Sequence, residues 1–216
     1  MMFNLPKECS VNKFIPKKTF YEKVNISKVI QQEFIDKVEK IIWKYKISEE
    51  NINVSKTENV EEIEIFELVL KEKYEGKNII KVITKEISYP ILFFIKFNEE
   101  FQYAIKYKDN IYFSEWNNNI KFNFVDFNLE KVYENIVKAI TKIEDNIEEE
   151  LDKQQEIIKI QNEINKLENQ IKKEQQFNRK VELNKRILEL KEKMDKGEIT
   201  AEEFLDILDN SSLITR

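Results

Sequence analysis

Apolar residues recur at steps of three and four from Ile30 onward: Ile30, Phe34, Val38, Ile41 and Tyr45 make one stripe, which Ile35 and Ile42 widen. That period predicts a core helix, with Ser27 as its N-cap. Ahead of it, Pro6 and Pro16 forbid a continuous helix, so residues 1–25 read as an extended, basic arm. Residues 51–54 read as a short strand. IEIFELVLK, at 63–71, carries apolar residues on both parities, as a strand covered on both faces does. Gly76 opens a short helix in which Ile79, Ile80, Ile83 and Ile87 share one side. After Pro90, ILFFIKFN at 91–98 predicts a central strand. Phe101, Tyr103, Ile105 and Tyr107 then alternate with Gln102, Ala104, Lys106 and Lys108, the pattern of a strand with one wet face. Two further segments, 111–113 and 120–127, complete a run of strands joined as antiparallel hairpins, with Asp109 and Asn110 at one turn.

From Asn128 the period returns to helical. Leu129, Val132, Tyr133, Ile136, Val137, Ile140, Ile143, Ile147 and Leu151 form one stripe, whose first half suits the sheet and whose acidic half leaves it. Ile157, Ile160, Ile164, Leu167 and Ile171 follow at coiled-coil spacing. A second seam, Leu183, Ile187, Leu190 and Met194, is out of phase with the first. Continuation would require apolar residues at 174, 178, 181 and 185, where Glu174, Asn178, Val181 and Lys185 stand. Either one helix carries a stutter, or two helices fold back as a hairpin near 175–178. Gly197 suits a C-terminal cap, Thr200 with Glu203 makes a capping box, and Phe204, Leu205, Ile207 and Leu208 form a short helix able to pack on Leu190 and Met194. The expected fold is α+β: a mostly antiparallel sheet of about five strands with packed helices, followed by a long coiled-coil-like tail. The expected divisions are 1–143 for the α+β domain with its arm, 144–196 for the charged helix or hairpin, and 197–216 for the capped end.

Composition narrows the chemistry. There is no histidine among the 216 residues, which removes Ser-His-Asp and Cys-His catalysis and the common zinc sites. Two glycines leave nothing for a phosphate loop or a dinucleotide fold. The single cysteine, Cys9, has no internal disulfide partner and reads as a small apolar residue. The first ten residues lack the pattern of a signal peptide, and no stretch reaches the roughly 20 apolar residues of a membrane span, so a cytoplasmic location is expected. The net charge of −5 opposes indiscriminate nucleic-acid binding, but it is unevenly spread. Residues 1–28 carry six lysines against two glutamates, and residues 129–155 carry eight acids against four lysines.

Several stretches taken together resemble a known bacterial and archaeal family, domain of unknown function 4391. They are KFIPKKTFYE near the start, IIWKYKIS, EIFELVLK, SYPILFFI, the AIKYK strand, the tryptophan of YFSEW, and KKEQQFNRKVELN at 172–184. They run in order over almost the whole chain. The resemblance implies an accessory role beside restriction–modification and helicase genes, in defence against foreign DNA, and it brings no catalytic residue. The final KEKMDKGEITAEEFLDIL is similar to the short C-terminal helix-turn-helix module of many bacterial proteins.

Three candidate surfaces remain. Lys173, Glu174, Gln176, Phe177, Arg179, Lys180 and Asn184 form a polar interruption around one ring, suited to a hairpin tip or to a docking protein partner. Lys13, Lys17, Lys18, Lys106 and Lys108 interleave with Phe14, Phe20, Tyr103 and Tyr107, as in single-strand nucleic-acid binders, but Tyr103 and Tyr107 fall on the parity opposite Lys106 and Lys108, which favours core rings and solvated lysines. Glu62, Glu64 and Glu67 lie on or beside a strand without a Glu-x-Lys pair, and Lys71 is four residues beyond Glu67. No catalytic residue, metal ligand or cofactor is assigned. The expected function is a non-enzymatic interaction protein that binds a protein partner or a second copy of itself through the tail. The alternative is a divergent metal-dependent nuclease or nucleic-acid-binding domain using Glu64 or Glu67 with Lys71, Lys96 or Lys106.

Overall fold

The computed structural model describes residues 3–22, 26–144 and 146–196. A 3-10 turn at Lys7–Cys9 leads into β1 (Ser10–Ile15), α1 (Lys18–Tyr21), α2 (Lys28–Lys37), β2 (Val38–Ser48), α3 (Glu49–Ile52), β3 (Glu62–Leu70), α4 (Lys77–Glu86), β4 (Ile91–Phe97), β5 (Glu100–Tyr107), β6 (Asn110–Phe113) and α5 (Leu129–Thr141). Two long helices follow, α6 (Ile147–Lys173) and α7 (Phe177–Lys196). The chain divides into two compact units, Met1–Ile143 and Glu144–Arg216.

The first unit is built on one six-stranded sheet in sequential order. Four neighbouring pairs are antiparallel, but β3 and β4 run parallel, so the sheet is mixed rather than purely antiparallel. The cause is α4: a helical crossover carries the chain back to the starting edge, where a tight turn would have reversed it. Phe20 of α1, Phe34 of α2 and Ile79, Ile80 and Ile83 of α4 pack with Phe66, Leu68, Phe93, Ile95 and Ala104 on one face. The pleat turns Phe94 and Tyr103 to the other face, where Phe3 meets both edge-on, Phe122 meets Tyr103 edge-on, and Phe124 joins through Phe3 and Phe122. α5 lies against β3, β5 and β6, and none of its buried residues belongs to the first cluster.

The stripe read as one core helix is a helix followed by a strand. Ser27 does cap α2, its Oγ accepting the Ile30 N–H at 3.3 Å. The helix stops at Lys37, and β2 takes over with a run rich in β-branched and aromatic residues, paired on both sides. Register shifts at Val38/Lys40 and Trp43/Tyr45 mark bulges. The first adds a residue to the two-residue repeat, so buried Val38 and Ile41 fall three apart and, with Phe34 of α2 four residues earlier, imitate a helix. The end of α2 carries two ammonium groups. Lys17 Nζ donates to the carbonyls of Phe34 (3.2 Å) and Val38 (2.6 Å), and Lys71 Nζ to that of Ile35 (2.8 Å). These are carbonyls that a helix terminus leaves unpaired.

Four further expectations change. The N-terminal arm is not free: β1 pairs with β2 and forms an edge of the sheet. Residues 51–54 are not a strand, because Glu49 and Glu50 start the short helix α3 and Asn53 closes it in the left-handed region at φ 55°. Gln102 and Ala104 of β5 are fully buried, so that strand has no wet face through its middle. Residues 120–127 form no strand. Their alternation drops Phe124 into the aromatic cluster and leaves Val125 and Phe127 outside.

The stripe from Leu129 to Leu151 is shared by two helices. Asn128 caps α5 by accepting the Lys131 N–H at 2.9 Å, Lys142 ends it at φ 61°, and Asn146 caps α6. α6 and α7 form a hairpin. Ile164 packs with Ile187 and Leu190, flanked by Ile160, Leu167, Ile171 and Met194, and Arg186 reaches Glu163 at 3.5 Å. The phase slip is therefore the change of helix. Its turn needs no glycine, because the Glu174 carboxylate accepts the N–H groups of Gln175 (2.8 Å) and Gln176 (3.0 Å). No helix among the described residues is long and apolar enough to cross a membrane. The proposed Gly197 cap, the Thr200–Glu203 capping box and the helix-turn-helix likeness lie outside the described residues.

Candidate functional site

The five candidate nucleic-acid lysines do not gather. Lys13 lies exposed on the edge strand β1, Lys17 is committed to the end of α2, and Lys18 sits 3.7 Å from Glu22. Lys106 and Lys108 belong to β5 and its turn into β6, four strands away in the order. At about 4.8 Å per strand that is roughly 19 Å. Phe20 and Tyr103 are buried, so those rings are core.

The hairpin does gather its candidates. Lys173 and Glu174 end α6, Gln176 precedes α7, and Phe177, Arg179 and Lys180 occupy its first turn. Arg179 pairs with Glu174 at 3.5 Å. Two backbone N–H groups and this guanidinium hold the Glu174 carboxyl below its usual range. Phe177 is 77% exposed, and Val181 and Leu188 are also exposed. At spacings of four and seven, these three lie on one face of α7. Beside them a groove is lined by Glu168, Ile171, Lys172, Asn184, Ile187, Leu188 and Lys191.

A third assembly was hidden in the sequence. Lys71 serves α2, Lys96 lies over the Phe94 ring at 5.9 Å, and Glu67 points to the face opposite Glu62 and Glu64. The cation that reaches the carboxylates is Lys46. The β2–β3 register sets Lys46 opposite Glu64 and Ser48 opposite Glu62. Lys46 Nζ lies 2.6 Å from Glu62 Oε1, and Trp43 Nε1 donates to Glu64 Oε2 at 2.5 Å. Glu64 is only 4% exposed. Burial raises its carboxyl to about 7; Glu62 adds to the shift, while Trp43 and Lys46 oppose it. Glu62, Glu64 and Lys46 thus meet across β2 and β3, while Glu67, Lys71 and Lys96 lie elsewhere. Reading β2 as helix concealed the partnership, since only strand register brings residues 46 and 64 together. Among the described residues, no group of three or more His, Cys, Asp or Glu side chains is placed to hold a metal ion. Cys9 is fully buried, and burial, then Glu8, raises its thiol, which keeps it protonated and inert.

A mixed-sheet α+β unit joined to a helical hairpin, with a polar carboxyl corner and an exposed apolar helix face, defines the class. The chain belongs to the family described as Domain of unknown function (DUF4391), which it matches over residues 3–194. No curated protein and no solved structure matches it.

Proposed function

We propose that this protein is a non-enzymatic accessory component that docks an acidic amphipathic helix of a larger partner on α7. The setting proposed is a restriction–modification or phage-defence complex in the cytoplasm. The observation that carries the reading is the exposed face of Phe177, Val181 and Leu188 beside the apolar groove. The partner's charge follows from the flanks. Between Phe177 and Met194 there are six basic against three acidic residues, in a chain whose net charge is −5. Lys172, Lys185 and Lys191 have no salt bridge among the described residues. The hairpin buries its own seam, so a second copy is not needed to complete it.

The test compares the full chain with the double variant Phe177→Asp/Leu188→Asp, each purified from the native host and crosslinked. Crosslinks from Lys172, Lys185 or Lys191 to one acid-rich helix, lost in the variant, support the reading. Identical recoveries from both proteins overturn it. A second reading, a divergent nuclease or nucleic-acid-binding domain, is favoured by the meeting of Glu62, Glu64 and Lys46. Gel shifts and Mg²⁺-dependent cleavage of single- and double-stranded DNA test it, and neither binding nor cleavage at low salt removes it.

A further inference from the structure

Ser48 occupies the N-cap position of α3, where a serine ordinarily accepts a backbone N–H. It makes no such bond. Its side chain is on the sheet face opposite Glu62, it is 7% exposed, and its Oγ has no hydrogen-bond partner. A buried hydroxyl left unpaired in a native fold calls for an explanation. Around it stand two carboxyl groups two residues apart on one strand, in a corner that Trp43 helps close. Like charges held this near disfavour each other, and a doubly charged ion relieves both.

We propose that Glu62, Glu64 and Ser48 hold a hard divalent cation, Mg²⁺ or Mn²⁺, whose remaining positions are filled by water or an anionic oxygen that faces Lys46. The donor set suits such ions. Mg²⁺ takes one or two carboxylates and keeps waters or phosphate oxygens, so a complete protein cage is not required. The described donors on this face are oxygens, which disfavours soft metals. Trp43 donates to Oε2 of Glu64, and Glu64 shares a hydrogen bond with Glu62, a contact between two carboxyls in which an ion would replace the shared proton. Lys46 already places a cation against Glu62, and its side chain is one-third exposed, so it can turn away as the metal enters and meet the anionic ligand. This inference stands apart from the docking reading of α7. It names the metal site that the nucleic-acid reading would use, and its test employs metal alone, so loss of either functional reading leaves it standing.

The protein supplies its own reporter. Trp43 and Trp116 are the two tryptophans, so Trp116→Phe leaves a single indole, hydrogen-bonded to Glu64. Mg²⁺ titrated into this full-length variant at alkaline pH, after chelator removal, should change Trp43 emission saturably. Electron paramagnetic resonance should count one bound Mn²⁺ per chain. Glu62→Gln and Glu64→Gln should each weaken binding by at least the roughly tenfold that loss of even an outer-shell partner costs. Ser48→Ala should weaken it less. Glu62→Gln, at a partly exposed position, keeps the test valid if Glu64→Gln perturbs folding. A flat emission titration without stoichiometric Mn²⁺ overturns the proposal. So does Mn²⁺ binding that both glutamine variants retain in full, which would place the ion on other surface acids.

Discussion

The sheet unit and the hairpin are both dense in lysine and glutamate, yet they use these residues in opposite ways. In the sheet unit, charges complete the fold: Lys17 and Lys71 close α2, and Lys46 answers Glu62. In the hairpin, Lys172 and Lys191 line a groove beside an apolar face that stays outside. The difference follows from geometry. A six-stranded sheet covered on both faces buries most of its apolar residues and must satisfy the polar groups taken in with them. α6 and α7 share one seam, and on α7 the side carrying Phe177, Val181 and Leu188 stays exposed. The sheet unit exposes Phe14 on β1, Val29 and Ile35 on α2, and Val125 and Phe127 in the segment before α5, whereas the three exposed residues of α7 share one side of a single helix beside a groove.

The contrast can be broken by mutation. Phe93→Ala, in the middle of the sheet, should destabilise the protein by about 3–5 kcal/mol in chemical denaturation, through lost burial and the cavity left behind. Ile187→Ala in the hairpin seam should cost nearer 2 kcal/mol, because a three-residue cluster encloses it less completely. Equal losses would abolish the distinction between a full core and a satellite seam.

pH probes the buried carboxyl. The folded Glu64 titrates near 7 against an ordinary 4.5, so between those values the folded state holds the extra proton. Stability therefore falls as pH rises through that window. The share from Glu64 is on the order of 3 kcal/mol. Glu75, which burial also raises to about 7, adds a slope of the same sign. Denaturation of the metal-free protein from pH 4.5 to 8 should show the decline, and Glu64→Gln should remove part of it. An unchanged slope would mean that Glu64 is not the buried proton site.

Smaller effects sharpen the comparison. Lys17→Met removes both hydrogen bonds to the end of α2 and should cost about 1–2 kcal/mol, read as a shift of the denaturation midpoint. Phe177→Asp should change stability by no more than about 0.5 kcal/mol while eliminating partner recovery. A large stability loss there would show that the ring belongs to the fold rather than to a partner.

Much of the architecture was legible in the residues. The 63–71 and 91–98 runs read as strands and are strands, Ser27, Gly76 and Asn128 marked helix starts, and the phase slip between the seams at 157–171 and 183–194 left a hairpin open, which is what forms. These signals are local: a period, a cap or a turn depends on residues a few positions apart. The carboxyl corner was illegible for the complementary reason. Lys46, Ser48, Glu62 and Glu64 carry no motif, and they meet only because β2 is a strand with two bulges in a particular register against β3. The parallel β3–β4 pair likewise depends on the path of the crossover.

Chain chemistry alone settled the absence of histidine catalysis, the α+β class and the positions of the main apolar runs, because composition and periodicity need no partner in space. Folding settled which lysine faces which carboxylate, which phenylalanines are core, and where the tail turns. Those outcomes rest on strand register and helix pairing, set by contacts between residues far apart in the chain, where no local pattern records them.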